Sequence, residues 1–137
     1  MNKIAPEPTT YDLAGQVIGL AMKVHSTLGP GFLESVYQNA LTHELRGSGL
    51  SVETEVRLKV MYDNVVVGAF DADLLINKSL LVENKAVQAL VVAHEVQLVN
   101  YLTATGLDEG LLLNFGAGRL EFKKKFRVYQ PSANSSC

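Results

Sequence analysis

The stretch DADLLINKSLLVENK, residues 71–85, decides how this chain folds. It reads as two apolar strand segments, one ending at Ile76 and one starting at Leu80, separated by the polar break Asn77-Lys78-Ser79. Taken as a three-residue hairpin loop, the break sets Ile76 opposite Leu80, and counting back places Asp73 opposite Glu83. Cross-strand partners on one face have Cβ atoms about 4.5–5.5 Å apart, close enough for two carboxylates to share a divalent cation. Lys85, two positions beyond Glu83, points to the same face. A buried run carrying two opposite charges is therefore readable as one wall of a polar site.

Working outward, residues 52–62 alternate apolar and charged side chains, the period of a half-buried strand. Asp63-Asn64 is a hairpin turn, and a second strand runs from about Val65 to Ile76, with a third from Leu80 to Ala86. Two helices come first. Thr10–Leu28 repeats apolar residues at helical spacing and stops at the GPG of 29–31, and a second helix spans Phe32–Arg46, burying Leu33, Val36, Ala40, Leu41 and Leu45. After the third strand, Val92, Val96, Val99 and Leu102 mark a helix over 91–105 closed by Gly106. GLLLNF (110–115) and RLEFKKKFRVY (119–129) read as the last two strands. The order ααβββαββ predicts an α/β fold (α+β sandwich), a mixed central sheet flanked by helices. The expected organisation is a flexible N-terminus over 1–9, one domain over 10–130, and a flexible tail over 131–137.

The 137 residues, 47% apolar, suffice for one independent core. A formal net charge of −2 excludes a general polyanion-binding field, so any nucleic-acid contact must be local. The single cysteine, Cys137, supports neither a disulfide framework nor thiol catalysis, which points to a reducing, cytoplasmic setting. No apolar run approaches the roughly 20 residues that span a bilayer, so a soluble protein is expected.

Paired carboxylates repel unless a cation neutralises them, and hard oxygen ligands with room for water suit Mg²⁺, or Mn²⁺. Asp73 and Glu83 would hold the ion, with the main-chain carbonyl of Asn84 as a further oxygen. Lys85 would orient a water or stabilise charge on a phosphate. The same spacing fits a solvated ion pair on an exposed sheet face, with Asp73 one more surface carboxylate. In this register Asp71 faces Lys85, and a salt bridge between them is the favoured reading. Tyr37 is placed to hydrogen-bond Glu34 or to join the core. His94 reads as a partly buried histidine, and His25 and His43 as surface or packing residues. Lys123, Lys124, Lys125 and Arg127 read as guards of an edge strand ahead of a phosphate-contacting strip.

GFLESVY (31–37), ADLL (72–75), VENKAV (82–87) and HEVQLVNYL (94–102) together resemble the GxxExxY protein family of the PD-(D/E)xK nuclease superfamily, over about Asp12 to Val128. The resemblance implies that superfamily's αβββαβ core with an extra N-terminal helix. It implies a Mg²⁺-dependent nuclease that hydrolyses phosphodiester bonds in DNA or RNA by metal-activated water. Asp73 matches the motif aspartate, Glu83 the second metal-binding acid and Lys85 the motif lysine. Glu34 matches the helix-borne acid that assists at the metal. Gln97 and Tyr101 match the QxxxY pair that meets substrate. Ala72 replaces the motif proline, and Asn84 stands where an apolar residue is usual, its side chain aimed at the packed face of the sheet. The alternative is a catalytically silent protein of this fold acting as a partner-binding or regulatory module, and a homodimer or protein partner is compatible with either.

Overall fold

A computed structural model describes residues 10–128. The observed order follows the sequence pattern: α1 (Thr10–Leu28), α2 (Glu34–Gly47), β1 (Val52–Tyr62), β2 (Val65–Ile76), β3 (Leu80–Lys85), α3 (Val92–Thr105), β4 (Glu109–Asn114) and β5 (Glu121–Phe126). The five strands form one sheet in the order β1-β2-β3-β4-β5. Only β3 and β4 run parallel, joined through α3, and the other neighbours are antiparallel. No described helix is long and apolar enough to cross a membrane. The expected flexible ends, with Cys137, and Tyr129 of the predicted last strand lie outside the described residues.

Both faces of the central strands are covered. Val82, Leu111 and Leu113 pack into a core with α1 and α2, through Val17, Ala21, Leu41 and Leu45. Leu81 and Leu112 pack into a second core with Leu98 and Leu102 of α3. Two-sided burial explains why β3 and β4 read as nearly unbroken apolar runs.

The β1–β2 hairpin extends past this double cover. Its turn residues Asp63 and Asn64 both take positive φ (55° and 64°), the backbone a tight two-residue hairpin needs. At one end of the hairpin, Val52, Leu74 and Ile76 serve the α1/α2 core. At the other, Leu58, Phe70 and Ala72 serve the α3 core, although all six are even-numbered. The change of layer falls between Ala72 and Leu74, where the ladder pairs Thr54 with Leu74 and Val56 with Ala72 but skips Glu55 and Asp73. Glu55 takes φ 53° there. Asp73 thus lies at a kink in the sheet.

Three expected core positions differ. Leu33 is 77% exposed because α2 starts two residues later than expected, at Glu34, and Leu33 is the extended residue before it. Tyr37 takes the core place instead: its ring stacks on Phe115, and its hydroxyl donates to the Gly29 carbonyl and accepts from the Phe32 N–H. Its hydroxyl therefore braces the GPG turn instead of bonding Glu34. On α3, Val92 and Val96 are exposed, since the helix turns Leu98 and Leu102 to the sheet. His25, the residue left to surface or packing, is buried with Nε2 2.9 Å from the Ala117 carbonyl oxygen.

Asn84 is fully buried, and neither side-chain atom has a hydrogen-bond partner. An unsatisfied buried amide costs about 1–3 kcal/mol. Replacing Asn84 with Leu or Val is expected to stabilise the chain by that order, read as a higher denaturant midpoint at unchanged slope in urea unfolding.

Candidate active site

The sheet register expected from the hairpin loop is observed: Ile76 pairs with Leu80, Leu75 with Leu81 and Leu74 with Val82. Beyond Leu74 and Val82 the two strands part, and main-chain N–H groups that would bond across the ladder need other acceptors. Two carboxylates take that place. The Asp73 N–H donates to Glu83 Oε2 at 3.0 Å, and the Asn84 N–H donates to Asp73 Oδ2 at 2.8 Å. Each acid thus accepts from the opposite strand, which locks the pair side by side.

Glu83 is 7% exposed. Burial, reinforced by the Asp73 charge, pushes its carboxyl up to about 7 against the opposing pull of the Asp73 N–H and Lys85. Burial also raises Asp73, partly offset by the Asn84 N–H. Glu34, in the first turn of α2, is raised by burial and then by Asp73, while Lys85 and a hydrogen bond from the Ala86 N–H pull it down. Four predicted residues, Glu34, Asp73, Glu83 and Lys85, therefore share one electrostatic neighbourhood.

Gln97 and Tyr101, four positions apart, share one face of α3, and Gln97 pulls the Tyr101 hydroxyl down against the causes that raise it. The Tyr101 ring stacks on Phe70, with centroids 3.5 Å apart, and its hydroxyl is raised by burial and then by the negative charges of Glu83 and Asp73. The aromatic ring therefore faces the acids across the end of the hairpin. The Asn84 side chain takes no part, being turned into the core, while its N–H serves Asp73.

Asp71 is not the partner of Lys85. It pairs with Arg57 at 3.0 Å, its opposite residue on β1, because β2 has already parted from β3 at that level. His94 accepts the Val91 N–H on Nδ1 at the start of α3, a local role. Lys125 and Arg127 are held by Glu95 and Asp108. Beside Asp73, a groove of 880 Å³ opens between α2 and β1, with Glu34, Gln38, Thr42, Arg46 and Thr54 among its walls. Glu83 and Lys85 do not line it.

Sequence reasoning missed Asn114 and Glu121. Asn114 is fully buried and links β4 to the segment after β3 and to Glu121. Its signal is the same as that of Glu83: a polar residue inside an apolar run, here LLLNF.

Among the described residues no group of three or more His, Cys, Asp or Glu is gathered closely enough to hold a metal. The donor set nonetheless fits a hard divalent ion: two adjoining carboxylates, one of them deprived of water, with a third acid nearby and a single ammonium against them.

The chain belongs to the PD-(D/E)XK nuclease superfamily, whose family model matches residues 11–126. The crystal structure of SSO0001 shares the fold at a TM-score of 0.55 and 23% identity, over 70% of this chain. This chain spans half the length of that one. No curated protein matches it.

The Glu83 shift fixes a pH dependence. With its carboxyl held above the unfolded value of 4.5, the folded state binds more protons than the unfolded state between about 4.5 and 7. Stability from this group is then complete below 4.5 and is lost as pH rises through about 7. In metal-free buffer the melting temperature is expected to fall from pH 5 to pH 8, with Glu83→Gln flattening that slope.

Proposed function

We propose that the chain is a nuclease of the GxxExxY family, requiring Mg²⁺ or Mn²⁺ and hydrolysing phosphodiester bonds of DNA or RNA. The observation that carries this reading is the interlocked carboxylate pair Asp73 and Glu83, held beside Glu34 and Lys85. Asp73, Glu83 and the Asn84 main-chain carbonyl would hold the cation, with Glu34 assisting. When bound, the cation would supply charge neutralisation and a water of lowered pKa.

The chain's own groups do the rest. The Lys85 ammonium orients the attacking water or meets charge developing on the phosphate. Asp73 and Glu83 stay ionised only when their repulsion is relieved, which ties a competent site to cation loading. Gln97 and Tyr101 orient the nucleic acid. The proposed setting is cytoplasmic.

A second reading, a silent nuclease fold working through a protein partner or as a homodimer, draws on one observation: the far end of the hairpin exposes Met61, Tyr62, Val65, Val66 and Val67 together.

Calorimetric titration of Mg²⁺ and Mn²⁺, followed by a cleavage screen on single- and double-stranded DNA and RNA, separates the two. Asp73→Ala is expected to lose both metal binding and cutting. Lys85→Ala is expected to keep metal binding and lose at least about 100-fold in rate, with both variants folded by circular dichroism. A folded wild type that binds no divalent metal even with nucleic acid present supports the partner reading.

A further inference from the structure

The segment that leaves Lys85 crosses from β3 to α3, and two side chains far along the chain hold it. Asn114 Oδ1 accepts from the Val87 N–H at 2.9 Å and from the Gly116 N–H at 3.0 Å. Two donors at one end fix the orientation of the amide, so Nδ2 faces the other way and donates to Glu121 Oε1 at 2.7 Å. The same Glu121 oxygen accepts from the Leu90 N–H at 3.1 Å. The Phe115 N–H donates to the Lys85 carbonyl at 2.8 Å. Packing closes the arrangement, because a Cβ on Gly116 would lie 2.4 Å from the Val87 main chain. The crossover is therefore clamped from the β4–β5 side.

We propose that Asn114 and Glu121 are positioning residues that fix Lys85 and the start of α3 relative to the Asp73–Glu83 pair by clamping main-chain N–H groups at Val87 and Leu90. The proposal rests on the nuclease reading for its effect on turnover. The clamp itself stands without that reading. Neither residue touches substrate. Asn114 joins the end of the Lys85 strand to the loop behind it, and Glu121 carries the same bond chain to Leu90, two residues before the helix that bears Gln97 and Tyr101. A buried amide with every polar atom used is stiff, and rotation of the crossover would break bonds at both ends together.

The chemistry of the pair suggests its own test. Asn114→Asp keeps an oxygen toward Val87 and Gly116 but sets a carboxylate against Glu121. Adding Glu121→Gln puts an amide donor at the position of Oε1, facing the new acid, and leaves the Leu90 N–H without that acceptor. Amide hydrogen exchange on the full chain is expected to speed up at Val87 and Leu90 by about 10-fold or more in Asn114→Asp, and in the double variant to return toward wild type at Val87 while staying fast at Leu90. Cleavage is expected to show kcat lowered about 10- to 100-fold with substrate KM little changed, again recovering in the double variant. Unchanged exchange in Asn114→Asp overturns the clamp. Accelerated exchange with unchanged kcat overturns the positioning role.

If wild type cleaves nothing, the nuclease reading fails separately, and positioning is read on Lys85. The resonance of its reductively methylated amine, assigned by its loss in Lys85→Arg, is expected to move in Asn114→Asp and return in the double variant. A stationary resonance overturns the proposal. Should Asn114→Asp not fold, Glu121→Ala serves, with faster exchange expected at Leu90 and little change at Val87; equal protection at Leu90 overturns the clamp.

Discussion

Where β2 and β3 part, two main-chain N–H groups lose their ladder acceptors, and the side chains of Asp73 and Glu83 replace them. The rest of the site depends on this exchange. A buried N–H must be satisfied, so each carboxylate is drawn to the opposite strand and held there. The geometry that satisfies the backbone also brings two acids together and strips Glu83 of water. Backbone satisfaction and the proposed ion binding would thus use the same oxygen pair, and Glu83 responds to the crowding with a proton affinity shifted into the neutral range.

The layers around the pair follow from two-sided burial of β3 and β4. Apolar side chains fill both faces, which leaves few places for polar groups, and those present are either bonded or left unpartnered at a cost. Asn114 belongs to the first kind, with its amide oxygen and nitrogen both engaged. Asn84 belongs to the second, unpartnered within the α1/α2 side of the sheet. The two asparagines show that burial alone does not decide the energetic sign of an amide; the direction it faces does.

Much of this was legible in the sequence because a short hairpin loop fixes parity. Once Asn77–Ser79 is a three-residue connection, the register of β2 and β3 has one solution, and the facing of Asp73 and Glu83 follows. Local patterns misled where tertiary competition intervened. Val92 and Val96 keep helical spacing, yet Leu98 and Leu102 win the sheet because α3 packs at its later turns. Asp71 matches Lys85 only if the β2–β3 ladder continues, and once it parts, Arg57 on the other side is nearer. The Asn114–Glu121 clamp was illegible, since its bonds join residues 27 and 31 positions apart and no periodicity encodes such a pairing.

The charge balance of the site constrains the order in which partners arrive. Glu34, Asp73 and Glu83 stand against one ammonium, Lys85, so full ionisation leaves two formal negative charges in one neighbourhood. A phosphodiester brought to that neighbourhood would add a further negative charge in a region already short of water, where repulsion is weakly screened. Protonation at Glu83 relieves part of the deficit, but it removes the hard anionic ligand and leaves the acid pair unable to hold a divalent ion. A divalent cation matches the deficit while keeping all three acids ionised. Under the proposed function, the approach of a polyanion would become favourable only with the cation present, and the lysines of β5, two of them unpaired among the described residues, would steer a strand toward the site without replacing that requirement.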